Sequence, residues 1–229
     1  MALYVIGDTH LSGGVDKPMD IFGDIWKNSR EKLAEGLSRL EDGDLLVICG
    51  DFSWGMTPEQ ALPDFLFLES FPGKKLLVKG NHDYWWCTAS KMNAFFEAHG
   101  IKSISLLHND FYRYEGRALC ATRGWMPEGD EDGGKVYKRE VIRLEISLKA
   151  AEKAAPDLPK ICFLHYPPIT TESEQRPFTE LMEKYGVRRC FYGHLHGPGI
   201  KTAFFGSHGG VDYRLISADY LNFRPVFIE

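Results

Sequence analysis

Residues 3–10 read LYVIGDTH and residues 45–51 read LLVICGD. Each is a short apolar run halted by a glycine and an aspartate, which is how a buried strand ends. Three further runs stop at a Gly or Pro signal and end in metal-binding residues: KLLVKGNHD at 75–83, KICFLHYPP at 160–168 and RCFYGHLH at 189–196. Open α/β sheets assemble their sites outside the carboxyl ends of such strands. Five strand ends would therefore pool Asp8, His10, Asp51, Asn81, His82, His165, His194 and His196 in one place.

Helix-like segments separate these runs. Leu33, Leu37 and Leu40 mark the inner stripe of a helix over 26–40. Thr57-Pro58 opens a second helix over 57–70, with Pro63 as a possible kink. A third covers 88–99 and stops at Gly100. Short strands at 103–107, 111–114 and 118–122, parted by Asn-Asp and Glu-Gly turns, read as an antiparallel edge or a second sheet. A glycine-rich acidic loop follows Arg123, readable as a lid or a solvated loop. Then come helices over 136–155 and 177–185, and three antiparallel strands at 202–205, 213–217 and 225–228. With no repeat or linker, the pattern is one α/β domain over 1–229, two packed sheets with outer helices.

Composition narrows the function. The net charge is −5 and no Lys/Arg block occurs, which disfavours long nucleic acid or an anionic membrane as partner. No apolar stretch reaches the ~18 residues that cross a bilayer. The five cysteines show no CxxC spacing, as expected of reduced thiols in a cytoplasmic protein. A lone aspartate or histidine at a strand end most often caps a turn or takes a hydrogen bond. Five of the eight histidines gathered at the ends of buried runs are not explained by core packing, and they indicate a metal site. Mixed imidazole and carboxylate donors suit Mn, Fe, Zn or Ni better than Mg or Ca, and two such ions would serve phosphoester chemistry.

The ordered series Asp-x-His, Gly-Asp, Gly-Asn-His-Asp, an isolated His and Gly-His-x-His resembles the calcineurin-like metallophosphoesterases from Asp8 to His196. The resemblance implies a four-layer sandwich of two mixed β-sheets flanked by helices, with a binuclear metal site at the carboxyl edge of the strands. One ion would take Asp8, His10 and His196. The other would take Asn81, His165 and His194, and Asp51 would bridge them. His82 would assist the leaving oxygen. The expected cofactors are two divalent transition-metal ions, with Mn favoured. The expected reaction is hydrolysis of a small phosphoester by in-line attack of a metal-activated water. A phosphodiesterase or nuclease acting on nucleotides is the alternative, and a silent binding scaffold a further one. Protein phosphatases of the family usually carry GDxxDRG. Here the stretch is GDFSWG, with Trp54 and Gly55 in place of Asp and Arg, which argues against a dedicated protein phosphatase.

Tyr84, Trp85, Arg123 and His208 are the candidate substrate contacts. The two rings would wall the leaving group or else pack the next helix. Arg123 would fork onto phosphate or pair with acids at 128–132. His208 would line the pocket or sit in a solvated turn.

Overall fold

The computed structural model describes residues 1–126 and 134–228. Four parallel strands begin the chain: β1 (Leu3–Ile6), β2 (Leu45–Cys49), β3 (Lys74–Val78) and β4 (Ile104–Leu106). Parallel neighbours need a crossover. Helices α1 (Ser29–Leu37), α2 (Pro58–Glu69) and α3 (Ala89–Ala98) supply them. The side chains of Thr57 and Thr88 cap α2 and α3 by accepting from Gln60 N and Lys91 N, and α2 runs through Pro63 unbroken.

The second sheet holds β5 (Phe111–Tyr114), β6 (Arg117–Thr122), β7 (Lys160–Leu164), β8 (Val187–Tyr192), β9 (Gly206–His208) and β10 (Val211–Leu215). Its order is β5-β6-β7-β8-β10-β9, with only the two edge strands antiparallel. Helices α4 (Lys135–Ala154) and α5 (Arg176–Lys184) cover it. A last strand, β11 (Val226–Phe227), returns to the first sheet antiparallel to β1.

Side-chain alternation along the strands produces the layers. Ile6, Leu46, Ile48 and Leu77 face outward, onto Leu33 and Leu37 of α1, Phe65 of α2 and Phe96 of α3. Val5, Val47 and Val78 point the other way and meet Leu119, Ile161 and Phe163 between the sheets. Cys120, Cys162 and Leu164 then pack on Leu144 and Leu148 of α4 and Phe178 of α5. Strands buried on both faces read as continuous apolar runs rather than alternating ones. The α/β four-layer sandwich is the fold.

Several sequence expectations are corrected here. β4 joins the first sheet as a parallel edge, because α3 gives it a crossover from β3. β6 and β10 are parallel to their inner neighbours. Residues 197–202 form a 3-10 turn where a strand was expected to begin. The first helix starts at Ser29 because Asn28 takes a left-handed φ of 54°. Trp26 consequently lies in a 3-10 turn (Asp24–Trp26) rather than in the helix. The acidic residues at 128–132, with the lid reading, lie outside the described residues. All five cysteines are free thiols. No described helix is long and apolar enough to cross a membrane.

Candidate metal centre

The carboxyl ends of both sheets open onto one spot. Asp8 and His10 follow β1, Asp51 follows β2, and Asn81 and His82 follow β3. From the second sheet, His165 follows β7, and His194 and His196 follow β8. The backbone ties these ends together: Asp8 N donates to Gly50 O, His10 N to Asp51 O, and Gly193 N to His165 O. Contact is close enough that a β-carbon on Gly80 would overlap Asp51 Oδ1, and one on Gly193 would overlap Asp8 Oδ2. Glycine is required at both by space.

The donor atoms face one another, most of them beyond the ~2.7–3.2 Å usual for a hydrogen bond. Asp8 Oδ1 lies 3.4 Å from His196 Nε2. His10 Nε2 is 3.4 Å from His196 Nε2 and 3.8 Å from Asp51 Oδ2. His165 Nε2 stands 2.6 Å from Asn81 Oδ1, 3.3 Å from His194 Nδ1 and 3.5 Å from Asp51 Oδ2. Two ligand atoms bound at about 2.1 Å in a tetrahedral shell would be about 3.4 Å apart. Most of these separations match that value, so the residues fit a transition-metal ion. Asp8, His10 and His196 offer atoms all within 4.8 Å of one another, and so do Asp8, Asp51 and His165.

Outer partners orient the rings. His165 Nδ1 is 3.2 Å from Cys49 O, which fixes a donating Nδ1–H and turns Nε2 inward. His196 Nδ1 meets Asp219 Oδ1 at 3.0 Å, and Asp219 Oδ2 takes Gly197 N at 3.0 Å. Asp219 was not singled out in the sequence. It follows β10, whose VDYRL alternates apolar and charged residues, so the continuous-apolar-run signal that marked the other strand ends is missing there. Asp83 is fully buried and accepts from Gly80 N, Asp51 N, Phe52 N and Trp85 Nε1 at 2.7–3.0 Å. It pins the β2 and β3 loops to each other.

The site stores backbone and electrostatic strain. Asp8, His10, Asp51 and His194 have φ of 57°, 45°, 49° and 71°, a region costly for residues other than glycine. Burial, then Asp83 and Asp8, pushes the Asp51 carboxyl well above its usual range. Burial and neighbouring imidazoles hold His10 and His165 well below theirs, and bring His194 down to about 3. His196 differs: burial opposes its charge, but Asp8 and Asp219 outweigh it and raise it to about 10. In the metal-free protein His196 therefore stays protonated from its ordinary 6.5 up to about 10, and a cation must displace that proton. Metal affinity is expected to rise with pH, by about tenfold per unit around neutrality, with one proton released. Calorimetry in two buffers of different ionisation enthalpy measures this, and zero release would contradict it.

The family model for calcineurin-like phosphoesterases matches residues 1–198. The chain belongs to the calcineurin-like phosphoesterases. Family membership and the Asp/His cluster support a metal-dependent phosphoesterase. No curated protein matches it. Two solved structures share the fold. The protein of unknown function AQ665 from Aquifex aeolicus is 16% identical, with a TM-score of 0.51, over 99% of this chain and 95% of that one. TT1561 of Thermus thermophilus is 14% identical, with a TM-score of 0.50, over 86% of this chain and 83% of that one.

Not every expected substrate contact of this phosphoesterase reaches the centre. Trp85 is 1% exposed, packed on Phe52 and Phe65 with its indole N–H held by Asp83. It is a core residue, a correction to its reading as a wall. Tyr84 is 55% exposed beside the His82 ring. Arg123 gives Nη2 to Glu140 Oε1 at 3.1 Å and stacks its guanidinium over Trp125. His208 sits on the edge strand β9 and pairs with Glu174 at 3.1 Å, not with any ligand. Two indoles that the sequence reading passed over do reach the centre. Trp54 stacks on His10 (centroids 4.8 Å, 22°) and lies 4.5 Å from His82. Trp26 sets its edge against His10 and His196.

Proposed function

We propose that this phosphoesterase hydrolyses a small phosphoester with two divalent transition-metal ions, Mn favoured, and acts in the cytoplasm. The reading rests on one observation: seven donor side chains from two sheets converge at cation-spanning distances beside a histidine that is not one of them. Asp8, His10 and His196 would hold one ion, Asn81, His165 and His194 the other, and Asp51 both. When bound, such a pair polarises the phosphoryl group and lowers the pKa of water.

The chain's own residues do the rest. Asp51 Oδ2 faces both His10 and His165, while its Oδ1 takes His82 N at 2.8 Å. The bridging carboxylate thus also sets the height of the His82 loop. The His82 ring is half-buried against Trp54. Burial, then Lys17, holds it below its ordinary pKa. A neutral ring favours a hydrogen bond to the departing oxygen over full proton transfer.

Hydrolysis of p-nitrophenyl phosphate and of its bis-ester by Mn-loaded protein tests the reading. Preference for the monoester makes the chain a phosphatase, and preference for the bis-ester a diesterase. Bound metal with no turnover of either would leave a binding scaffold. Asp51→Asn should reduce the occupancy of both metals together. Elemental analysis showing loss of one ion alone would end the bridging assignment.

A further inference from the structure

A pocket of about 330 Å³ opens directly on the catalytic face. His10, His82 and His196 line it together with Met19, Phe22, Ile25, Pro198 and the two indoles. Among the described residues that line it there is no acid, lysine or arginine. Phe22 and Ile25 stay 60% and 39% exposed at the mouth, beside Ile21 at 70%. A row of apolar side chains left in water at the rim of a site marks something that covers it.

The occupant follows from position and shape. A phosphoryl group at the ligand cluster expels its leaving group towards His82, and His82 lines this pocket. On that reading, the apolar space beside His82 that can take a leaving group is bounded by Phe22, Ile25 and Pro198. Trp54 has little free face to offer a nucleobase: the His10 ring stacks on it and the Lys17 ammonium stands 3.0 Å from its ring centroid. Trp26 is 4% exposed and offers little more than an edge. The volume lies at the low end of small-molecule sites, which span about 300–1,000 Å³. It suits one short alkyl chain or one ring, without a sugar.

We propose that the substrate is a phosphoester of an apolar alcohol, whose hydrocarbon part seats between Met19, Phe22, Ile25 and Pro198. This rests on the phosphoesterase reading above and names its leaving-group side. Burying a methylene favours binding by about two- to threefold when contact is partial.

The test is a ladder of n-alkylphosphonates, from methyl to hexyl, titrated into Mn-loaded protein and followed by tryptophan fluorescence and calorimetry. Hexylphosphonate should bind roughly 30- to 250-fold tighter than methylphosphonate. Phe22→Asp with Ile25→Asp should flatten the ladder. Both side chains are partly in water, so the fold tolerates the change, and Phe22→Ala should lower the slope by itself. A flat ladder in the wild type, or a steep one that survives the double variant, overturns the proposal. If either p-nitrophenyl ester is still hydrolysed, only the pocket assignment falls. If neither ester is turned over, the phosphoesterase reading fails and takes this inference with it.

Discussion

His82→Ala, loaded with Mn²⁺, is expected to hydrolyse a phosphoester with a basic leaving group about 100- to 1,000-fold more slowly than the wild type, at unchanged metal content. The backbone N–H of His82, which holds Asp51, survives this truncation. Every proposed ligand is left in place, so the loss isolates what the ring does for the departing oxygen. The deficit should shrink for p-nitrophenyl esters, whose leaving oxygen carries its charge unaided. Metal content by elemental analysis and kcat for phenyl and p-nitrophenyl esters provide the measurement. Equal rates for the phenyl ester would remove His82 from the mechanism.

The second large effect belongs to a residue that binds nothing. Asp83→Ala would orphan five buried N–H donors, those of Gly80, Asp51, Phe52, Ser53 and Trp85. Each stranded donor costs about 1–3 kcal/mol, so a loss of about 4 kcal/mol or more is expected. That is beyond what most single substitutions do. Urea unfolding of the metal-free protein reads it directly. A change below about 1 kcal/mol would mean that water or a shifted loop replaces the carboxylate. Because the same carboxylate fixes the loops bearing Asp51 and Asn81, metal affinity should fall with stability.

The strand ends were legible for a physical reason. A strand buried on both faces needs a continuous apolar run, and Leu45–Cys49 is buried at every position. The polar residue that halts such a run stands out. The layers followed, as did the meeting of the eight strand-end residues in one place. What the sequence hid was pairing direction and the far ends of loops. Nothing local at residues 104–106 says which sheet they join, since that depends on where α3 delivers them. Trp26 reads as a helix start until Asn28 turns left-handed and sends the indole back to His10. Nothing local separates Trp85 from Trp86, which follows it. Burial of the first was decided by Phe65, twenty residues earlier, and by the Asp83 carboxylate.

The late part of the chain completes what the early part begins. Gly7 N bonds Ile216 O, Asp219 steadies His196, and β11 lies along β1. Every proposed ligand lies at or before His196, but the bonds that hold Gly7 and His196 in place come from Ile216 and Asp219. A chain cut before residue 216 would carry all eight imidazoles and every proposed ligand, yet lack both of those ties. Its affinity for a cation should fall accordingly, although no ligand would be missing.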